Sequence, residues 1–202
     1  MRNHFVQRVA GCVLAIVSLF AVATAQPPAP APQTSTSARI EGPAVASPTY
    51  VSLPLEITVN RPAAEVWKRV GKYCDIGEWL QIPCTITSGK DGEYGAVRSV
   101  ANEVLVGKTE LSYTYTQPVR NDRPYNLYHG TLEARPVTAT TSKLVYTIFF
   151  DNSMLPDEAA RDADKARRTT TFTRALQNMK TLAEGGTLPP PPARGRGDRA
   201  ER

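Results

Sequence analysis

The chain has few of the residues that metal sites and nucleophilic enzymes require. Its 202 residues include two histidines and three cysteines. A Gly-x-Ser-x-Gly elbow, a His-Glu-x-x-His pair and a phosphate-binding glycine loop are all absent from the sequence, which removes support for those classes of hydrolase, metalloprotease and nucleotide-binding protein. A Ser-His-Asp triad would have His129 as its base and no placed nucleophile, because His4 lies near the N-terminus. We therefore predict no metal and no cofactor.

The chain also lacks an apolar run long enough to span a membrane comfortably. Residues 1–25 have a basic start, an apolar stretch from Val9 to Ala23 and a small-residue exit that ends at Ala25. This stretch is shorter than the ~20 residues that a transmembrane helix needs, and the arrangement is typical of a cleaved secretory signal. We predict a signal peptide over residues 1–25, export to the periplasm or medium, and no stable membrane span after cleavage. An uncleaved anchor is the alternative.

Two polar flanks surround the central region. Residues 26–48 are rich in Pro, Ala, Ser and Thr and predict a disordered linker, and residues 186–202 predict a disordered tail rich in Pro and Arg. The formal net charge of +5 is concentrated in the two ends, so the centre offers no basic face for nucleic acid. Residues 49–185 have the size of one domain with one core.

Two cysteines remain once the predicted signal is removed. Cys74 and Cys84 lie on either side of a predicted short helix, and disulfides persist in exported proteins. A disulfide between them would fix that helix to the strand that follows. The alternative is a pair of buried thiols that behave as small apolar side chains. Their spacing has no accompanying histidines or cysteines, so it gives no metal signature.

The central region predicts a strand, two short helices, a series of strands and a closing helix. Apolar residues occupy every second position from Val51 to Val59, which is the pattern of a strand with one buried face. Asn60 and Pro62 suit the start of a helix with an apolar stripe that ends at Val70. Tyr73–Leu80 predicts a second short helix. The strand segments that follow are Ile82–Ser88, Gly95–Ala101, Glu103–Val106, Glu110–Gln117, Tyr125–Arg135 and Ser142–Asp151, with a chain reversal at Gly107-Lys108.

An amphipathic helix closes the domain. Pro156 begins it, and Asp157 and Glu158 place negative charge at the positive end of the helix dipole. Its basic residues, Arg168 among them, are predicted to lie mostly on the exposed side. We expect the apolar stripe to pack across a curved antiparallel sheet, and a sheet bent round one helix leaves a hollow. The stripe consists of Phe172, Ala175, Leu176, Met179 and Leu182.

The order and the residues of these elements resemble the helix-grip superfamily of START, birch-pollen-allergen-like and polyketide-cyclase-like domains, also called SRPBCC. The matching stretches are Ile57–Trp67, Gly95–Val100, Glu103–Leu105, the aromatic strand with Tyr113 and Tyr115, and Asn126–Tyr128. The resemblance implies an α+β helix-grip fold, in which a seven-stranded curved antiparallel sheet wraps round a long C-terminal helix. It also implies a cavity for sterols, lipids, polyketides or other apolar molecules. The long gate loop of plant hormone receptors of this fold is missing here.

Candidate site residues follow from this arrangement. Tyrosines on the concave face would offer an apolar ring with a hydroxyl that orients a polar ligand group, and tyrosines on the other face would only pack or meet solvent. Arg98 either forms a cross-strand ion pair with Glu103 or clamps a ligand carboxylate. His129 is the catalytic candidate if it faces inward, and is otherwise structural. The ligand-binding candidates are Trp79, Arg98, Tyr113, Tyr115, Tyr128, Tyr146, Phe149, Phe172 and Met179.

Three functions remain open from the sequence. The first is an exported carrier that holds a hydrophobic small molecule between the sheet and the C-terminal helix. The second is a cyclase, dehydratase or isomerase that uses acid–base residues in the same cavity without a metal. The third is a cell-envelope interaction domain without a ligand. The residues that face inward separate the first two hypotheses, and the volume of the cavity separates both from the third.

Overall fold

The computed structural model describes residues 47–120 and 122–191. The predicted signal peptide, nearly all of the predicted linker and the end of the tail from residue 192 lie outside these residues. The elements are β1 (Tyr50–Val59), α1 (Ala63–Val70), α2 (Ile76–Trp79), β2 (Ile86–Ser88), β3 (Val97–Arg98), β4 (Glu103–Thr109), β5 (Ser112–Thr116), β6 (Asn126–Pro136), β7 (Ser142–Asp151) and α3 (Glu158–Ala183).

The seven strands form one antiparallel sheet in the order β1-β7-β6-β5-β4-β3-β2. The helix α3 packs against β1 and β7, and it also contacts α1 and α2. All three helices therefore cover one face of the sheet, which we call the inner face, and the opposite face is the outer face. This architecture confirms the predicted α+β helix-grip fold.

The alternation of buried and exposed side chains in β1 and β7 determines which of their residues enter the core. In β1, Leu53 and Val59 are buried on the inner face while Ser52, Glu56 and Thr58 are exposed on the outer face. The neighbouring strand β7 runs over the predicted residues and buries every second side chain against the helices. Because β7 pairs with β1 on one side and β6 on the other, its inward residues form the middle of the core.

The prediction of a chain reversal at Gly107-Lys108 is wrong. Strand β4 continues through Gly107 to Thr109, with a register shift between Leu105 and Gly107, and the chain turns just after Thr109. A Cβ atom at Gly107 would lie 3.3 Å from the Thr114 Cβ across the strand pair. The glycine therefore serves a close approach of two strands, whereas the sequence suggested a turn. The second helix is also shorter than predicted, since α2 has only four residues.

The closing helix begins two residues after Pro156. Asp157 has an extended backbone, and its side chain accepts a hydrogen bond of 2.7 Å from the Ala160 backbone N–H. This is the N-cap arrangement that satisfies one of the free N–H groups in the first turn. The predicted apolar stripe from Phe172 to Leu182 is buried. Arg168 is buried as well, so the prediction that it lies on the exposed side is wrong.

The first residues after α3 differ from the disordered tail predicted to begin at residue 186. Leu188 is partly buried against the core, and the Pro189 carbonyl accepts a hydrogen bond of 2.7 Å from Gln81 Nε2. These contacts hold the chain against the segment that follows α2. Of the residues that the structure describes, no helix combines the length and the apolar composition needed to cross a bilayer.

Candidate functional site

The site begins with the segment that carries α2. Cys74 and Cys84 form a disulfide with a Cα–Cα distance of 5.6 Å, so the two ends of this segment are tied together. Between them, Trp79 is fully buried, and its ring meets that of Tyr146 edge-on at 6.0 Å between centroids. The Trp79 carbonyl accepts a hydrogen bond of 2.9 Å from Asn178 of α3. The disulfide and this bond hold the indole against the inner face of the sheet.

All four candidate tyrosines lie on the inner face. Tyr113, Tyr115, Tyr128 and Tyr146 are each at most 4% exposed. The rings of Tyr113 and Tyr115 are 6.4 Å apart, and those of Tyr115 and Tyr128 are 6.3 Å apart. The Tyr115 and Tyr146 hydroxyls share a hydrogen bond of 2.8 Å. The rings therefore contact one another in the space between the sheet and the helices, and we call this set the tyrosine row.

A glycine makes room for the middle of the tyrosine row. Gly130 lies directly across from Tyr115 in the β5–β6 pair. A Cβ atom at this position would overlap the Tyr115 ring. Side chains from α3 complete the packing, since the Phe172 ring is 4.9 Å from that of Tyr146 and Met179 is fully buried.

The phenols of the tyrosine row remain protonated at neutral pH. Burial raises the pKa of Tyr115 and of Tyr146 well above the ordinary value, because a phenolate would lose its hydration. Burial raises the pKa of Tyr113 for the same reason. These hydroxyls are therefore hydrogen-bond donors and not bases.

Arg98 lies beside the tyrosine row and forms the cross-strand ion pair with Glu103. The two residues face each other in the β3–β4 pair, and Arg98 Nε donates to Glu103 Oε2 at 2.6 Å. Their side chains are 0% and 4% exposed. The Arg98 guanidinium carbon is 4.3 Å from the Tyr73 ring centre and 4.6 Å from that of Tyr115. A cation between aromatic rings gains attraction from the ring faces, which adds to the ion pair.

A short turn and a glutamine support this pair. The strands β3 and β4 are joined through Ala101 and Asn102, which both have positive φ, and the Glu103 N–H donates to the Val100 carbonyl at 3.1 Å. On its other oxygen, Glu103 accepts a bond of 2.8 Å from Gln117 Nε2. Burial raises the pKa of the Glu103 carboxyl, and Arg98 and Gln117 act in the opposite direction.

Three buried hydrogen-bond donors of the interior have no acceptor. They are the Tyr73 and Tyr113 hydroxyls, whose rings Arg98 contacts, and Trp79 Nε1, whose ring contacts Tyr146. The Tyr73 and Tyr113 rings meet edge-on at 5.4 Å, and the Arg98 guanidinium carbon lies 4.3 Å and 5.7 Å from their centres. Buried polar groups in folded proteins are nearly always paired, and an unpaired one costs about 1–3 kcal/mol. Each of these donors could therefore donate a hydrogen bond to an acceptor that the described residues do not provide.

The structure corrects two assignments of site residues. His129 and Phe149 face each other in the β6–β7 pair, with ring centroids 6.3 Å apart, and both lie on the outer face. Phe149 also contacts the ring of Tyr50, at 5.4 Å. The physical reason is alternation, because inward Tyr128 and Phe150 force their neighbours outward. His129 therefore lacks the inward position on which an acid–base role depended, and burial lowers its pKa.

Sequence reasoning overlooked several residues of the inner face. Gln117 links Glu103 to Tyr125, whose hydroxyl donates to Gln117 Oε1 at 2.7 Å. A signal for Gln117 was present, since it follows Tyr113 and Tyr115 at the same two-residue spacing. Tyr73 precedes a cysteine in irregular structure and gave no such signal. Arg168 could not be separated from the other basic residues of its helix by sequence alone.

The described residues hold no group of three or more His, Cys, Asp or Glu side chains that could bind a metal ion. What they do hold is a buried aromatic and polar cluster between a seven-stranded sheet and its closing helix. This combination defines a helix-grip domain with a candidate binding site for a small molecule.

The sequence model of the polyketide cyclase/dehydrase and lipid transport family matches residues 51–184, and the chain belongs to this family. The superfamily predicted from the sequence is thereby confirmed. A comparison with curated protein sequences gives no match.

Solved structures agree with this assignment at the level of the fold. A protein from Thermobifida fusca is 22% identical with a TM-score of 0.52, covering 68% of this chain and 97% of its own. The Zhui aromatase/cyclase from Streptomyces sp. R1128 is 17% identical with a TM-score of 0.52, covering 69% and 100%. A truncated norcoclaurine synthase from Thalictrum flavum is 12% identical with a TM-score of 0.51, covering 71% and 99%.

Proposed function

We propose that the domain binds a hydrophobic small molecule between its sheet and α3. An uncharged oxygen of that molecule would accept a hydrogen bond from the buried donors on and around the rings that Arg98 contacts. The observation that carries the proposal is the set of three buried donors without partners, Tyr73 Oη, Tyr113 Oη and Trp79 Nε1. A carbonyl or hydroxyl oxygen that accepts from one or two of them would remove the cost of leaving them unpaired.

The electrostatics of the cluster favour an uncharged group. Arg98 is neutralised by Glu103, with which it forms a charge-assisted hydrogen bond of 2.6 Å. Its Nη1 donates to the Tyr73 carbonyl at 2.6 Å. The guanidinium therefore already has its counter-charge, and a second carboxylate here would meet Glu103 at close range. A neutral acceptor avoids this repulsion.

The body of the ligand would lie along the tyrosine row. Ligand sites in proteins are largely apolar, with a few polar groups that fix the orientation. Tyr146, Phe172 and Met179 supply apolar surface, and Tyr128 extends it toward the start of β6. Since the rings contact one another, a guest enters this space by displacing some of them.

The protonation and pairing of the described tyrosines and of Glu103 favour a carrier role. The tyrosines stay protonated, and both Glu103 oxygens accept hydrogen bonds. A cyclase or dehydratase is the second candidate, and the observation in its favour is the raised pKa of the buried Glu103 carboxyl, which suits proton transfer. Turnover of a polyketide-like substrate that is lost in Glu103→Gln with folding intact would support the enzyme over the carrier.

We also propose that the protein is exported. The Cys74–Cys84 disulfide supports this, because disulfides persist in oxidising compartments and are rare in the cytosol. Intact mass measurement of the protein from its native host tests the proposal. A mass that begins at Gln26 and includes an oxidised cysteine pair is expected, and a full-length reduced chain would contradict it.

The binding proposal is tested with a ketone probe and its variants. Prodan, a fluorescent naphthyl ketone, should bind the wild-type protein with a blue-shifted emission, and 2-ethylnaphthalene, which lacks the oxygen, should compete only weakly. Tyr113→Phe removes one donor and keeps the ring, so we expect it to weaken prodan binding by about five- to tenfold. Tyr50→Phe, on the outer face, is the matched control and should bind as the wild type does.

Native mass spectrometry of protein purified from its own compartment complements this assay by looking for a co-purifying apolar molecule. Absence of binding of prodan, of fluorescent fatty acids and of fluorescent sterols, together with an empty purified protein, would reject a ligand-binding role in favour of an interaction domain.

A further inference from the structure

A second buried arginine lies at the other end of the tyrosine row. Arg168 of α3 is 6% exposed, and its guanidinium carbon is 4.4 Å from the Phe150 ring centre and 5.3 Å from that of Tyr128. Its Nε donates to Asp164 Oδ2 at 2.8 Å, but Nη2 is buried without a hydrogen-bond partner. The guanidinium therefore packs against aromatic rings, and its Nη2 donor has no acceptor.

Two buried asparagines belong to the same end of the sheet. Asn126 is 4% exposed and Asn152 is 1% exposed, and the amide nitrogen and oxygen of both side chains lack partners. Asn126 begins β6, two residues before Tyr128, and Asn152 follows β7, two residues after Phe150. A register shift between Asn126 and His129, with a positive φ at Leu127, interrupts the alternation here, so Asn126 shares the face of its strand partner Asp151 and not that of Phe150. Nearby Asp151, the strand partner of Asn126, is already occupied by the Thr49 and Ser153 N–H groups at 2.8 and 3.0 Å.

Arg168 Nη2 is the unpaired donor that the aromatic rings of Tyr128 and Phe150 place on the inner face at this end. Buried polar groups are nearly always paired, so an unpaired guanidinium nitrogen marks a position for an acceptor. The Asp164 carboxylate that pairs with Arg168 also accepts from Arg167, at 2.7 Å on Oδ1. A buried guanidinium with a donor left over matches a carboxylate.

We infer that Arg168, at the Tyr128 end of the tyrosine row, forms a subsite for the carboxylate of a hydrophobic carboxylic acid. This inference rests on the proposed function and specifies its ligand class. The acid group would accept from Arg168 Nη2. The aromatic rings under the guanidinium would contact the first carbons of the chain.

The two ends of the interior are joined, which gives such a ligand a path. The Tyr128 ring lies under Arg168 and is 6.3 Å from the Tyr115 ring, which in turn lies 4.6 Å from the Arg98 guanidinium. A molecule with its carboxylate at Arg168 and its body along Tyr128 and Tyr115 reaches the unpaired donors around Arg98. The ligand class is therefore a hydrophobic acid that carries a carbonyl or hydroxyl oxygen at some distance from its carboxylate.

Calorimetric titration with dodecanoic acid and dodecan-1-ol tests the subsite, because the two compounds share an apolar chain and differ in the charged group. At neutral pH the wild-type protein should bind the acid about tenfold more tightly than the alcohol. Arg168→Gln should remove this preference and leave the affinity for the alcohol unchanged. Arg174→Gln is the matched control, since Arg174 is exposed on the same helix, and it should retain the preference.

A measurement on the wild-type protein guards against a variant that does not fold. In the bound state, the carboxyl carbon of [1-13C]dodecanoic acid should keep the chemical shift of an ionised carboxylate as the pH is lowered to about 4.3, the ordinary value for a carboxyl side chain. Equal affinity for acid and alcohol, or a bound carboxyl that titrates as the free acid does, would overturn the subsite and leave the proposed function standing. Failure of both compounds to bind would overturn the two proposals together.

Discussion

The domain buries two arginines against aromatic rings, and it neutralises them differently. Arg98 has its own carboxylate, Glu103, and the pair is 0% and 4% exposed. Arg168 shares Asp164 with Arg167, whose side chain is 49% exposed. One arginine is therefore part of a closed, fully buried network, and the other belongs to a network that reaches the surface.

This difference separates structural from binding chemistry within one interior. A buried ion pair whose charges are matched is costly to break, because removal of one partner leaves an uncompensated charge in a poorly hydrated place. A buried cation whose carboxylate is shared with a second cation can accept a further anion. We therefore interpret the Arg98 pair as a support for its neighbours, and the Arg168 end as the charged end of the candidate site.

The largest expected effect comes from removal of the carboxylates. Glu103→Gln leaves Arg98 buried without its counter-charge and should lower the free energy of unfolding by about 3–5 kcal/mol. Asp164→Asn should cost less, about 1.5–3 kcal/mol, because its network includes Arg167, whose side chain is 49% exposed and keeps part of its hydration. Urea unfolding of the two variants measures both values. A loss in Asp164→Asn equal to that in Glu103→Gln would remove the distinction between the two arginines.

The disulfide sharpens the comparison, because it supports only one end of the interior. Cys74→Ser/Cys84→Ser should lower the free energy of unfolding by about 2–3 kcal/mol, as expected for a short closed loop. Since the loop carries Trp79 and begins next to Tyr73, the double variant should weaken binding of the ketone probe more than binding of dodecanoic acid. Thermal unfolding with and without a thiol reductant provides the control, and the reductant should have no effect on the variant. Equal weakening of both ligands would contradict the division.

Gly130 tests the tyrosine row that joins the two ends. In Gly130→Ala the new methyl group would meet the Tyr115 ring, so we expect a loss of about 1–3 kcal/mol from overpacking. Gly107→Ala is the matched control in the neighbouring strand pair, where the nearest atom is 3.3 Å away, and it should cost less. The same free energy of unfolding for the two variants would show that Tyr115 can move aside without penalty.

The sequence predicted the fold well because the fold depends on periodic patterns. The alternation in β1 and β7 and the apolar stripe of α3 each determine which side of an element is buried, and the order of elements does the rest. The bulge in β4 was missed because a glycine followed by a lysine looks the same in a turn and in a strand that approaches its neighbour closely.

The site was less predictable, because it depends on register and not on pattern. Whether Tyr115 or His129 faces inward is decided by a shift of one residue, and the irregularity between Asn126 and His129 cannot be read from the sequence. The Cys74–Cys84 disulfide and the Arg98–Glu103 ion pair were both among the structures considered from the sequence, because each joins residues that are close along the chain and have few other possible partners. Arg168 was not, since its burial depends on rings from β6 and β7.

The smallest expected effect concerns the outer face and tests whether the charge chemistry belongs to the interior alone. Burial against Phe149 lowers the pKa of His129 below its ordinary value of about 6.5, so the folded protein resists protonation of this ring more than the unfolded chain does. The resulting stability is fully present above about pH 6.5 and is lost as the pH falls through the folded pKa. His129→Gln should therefore flatten the stability profile slightly in this range, by less than about 1 kcal/mol, and leave dodecanoic acid binding unchanged. Chemical unfolding between about pH 5 and pH 8 measures the first effect and calorimetry the second. A change in ligand affinity in this variant would mean that the two faces of the sheet are coupled. The difference between Arg98 and Arg168 would then not be enough to explain where the ligand binds.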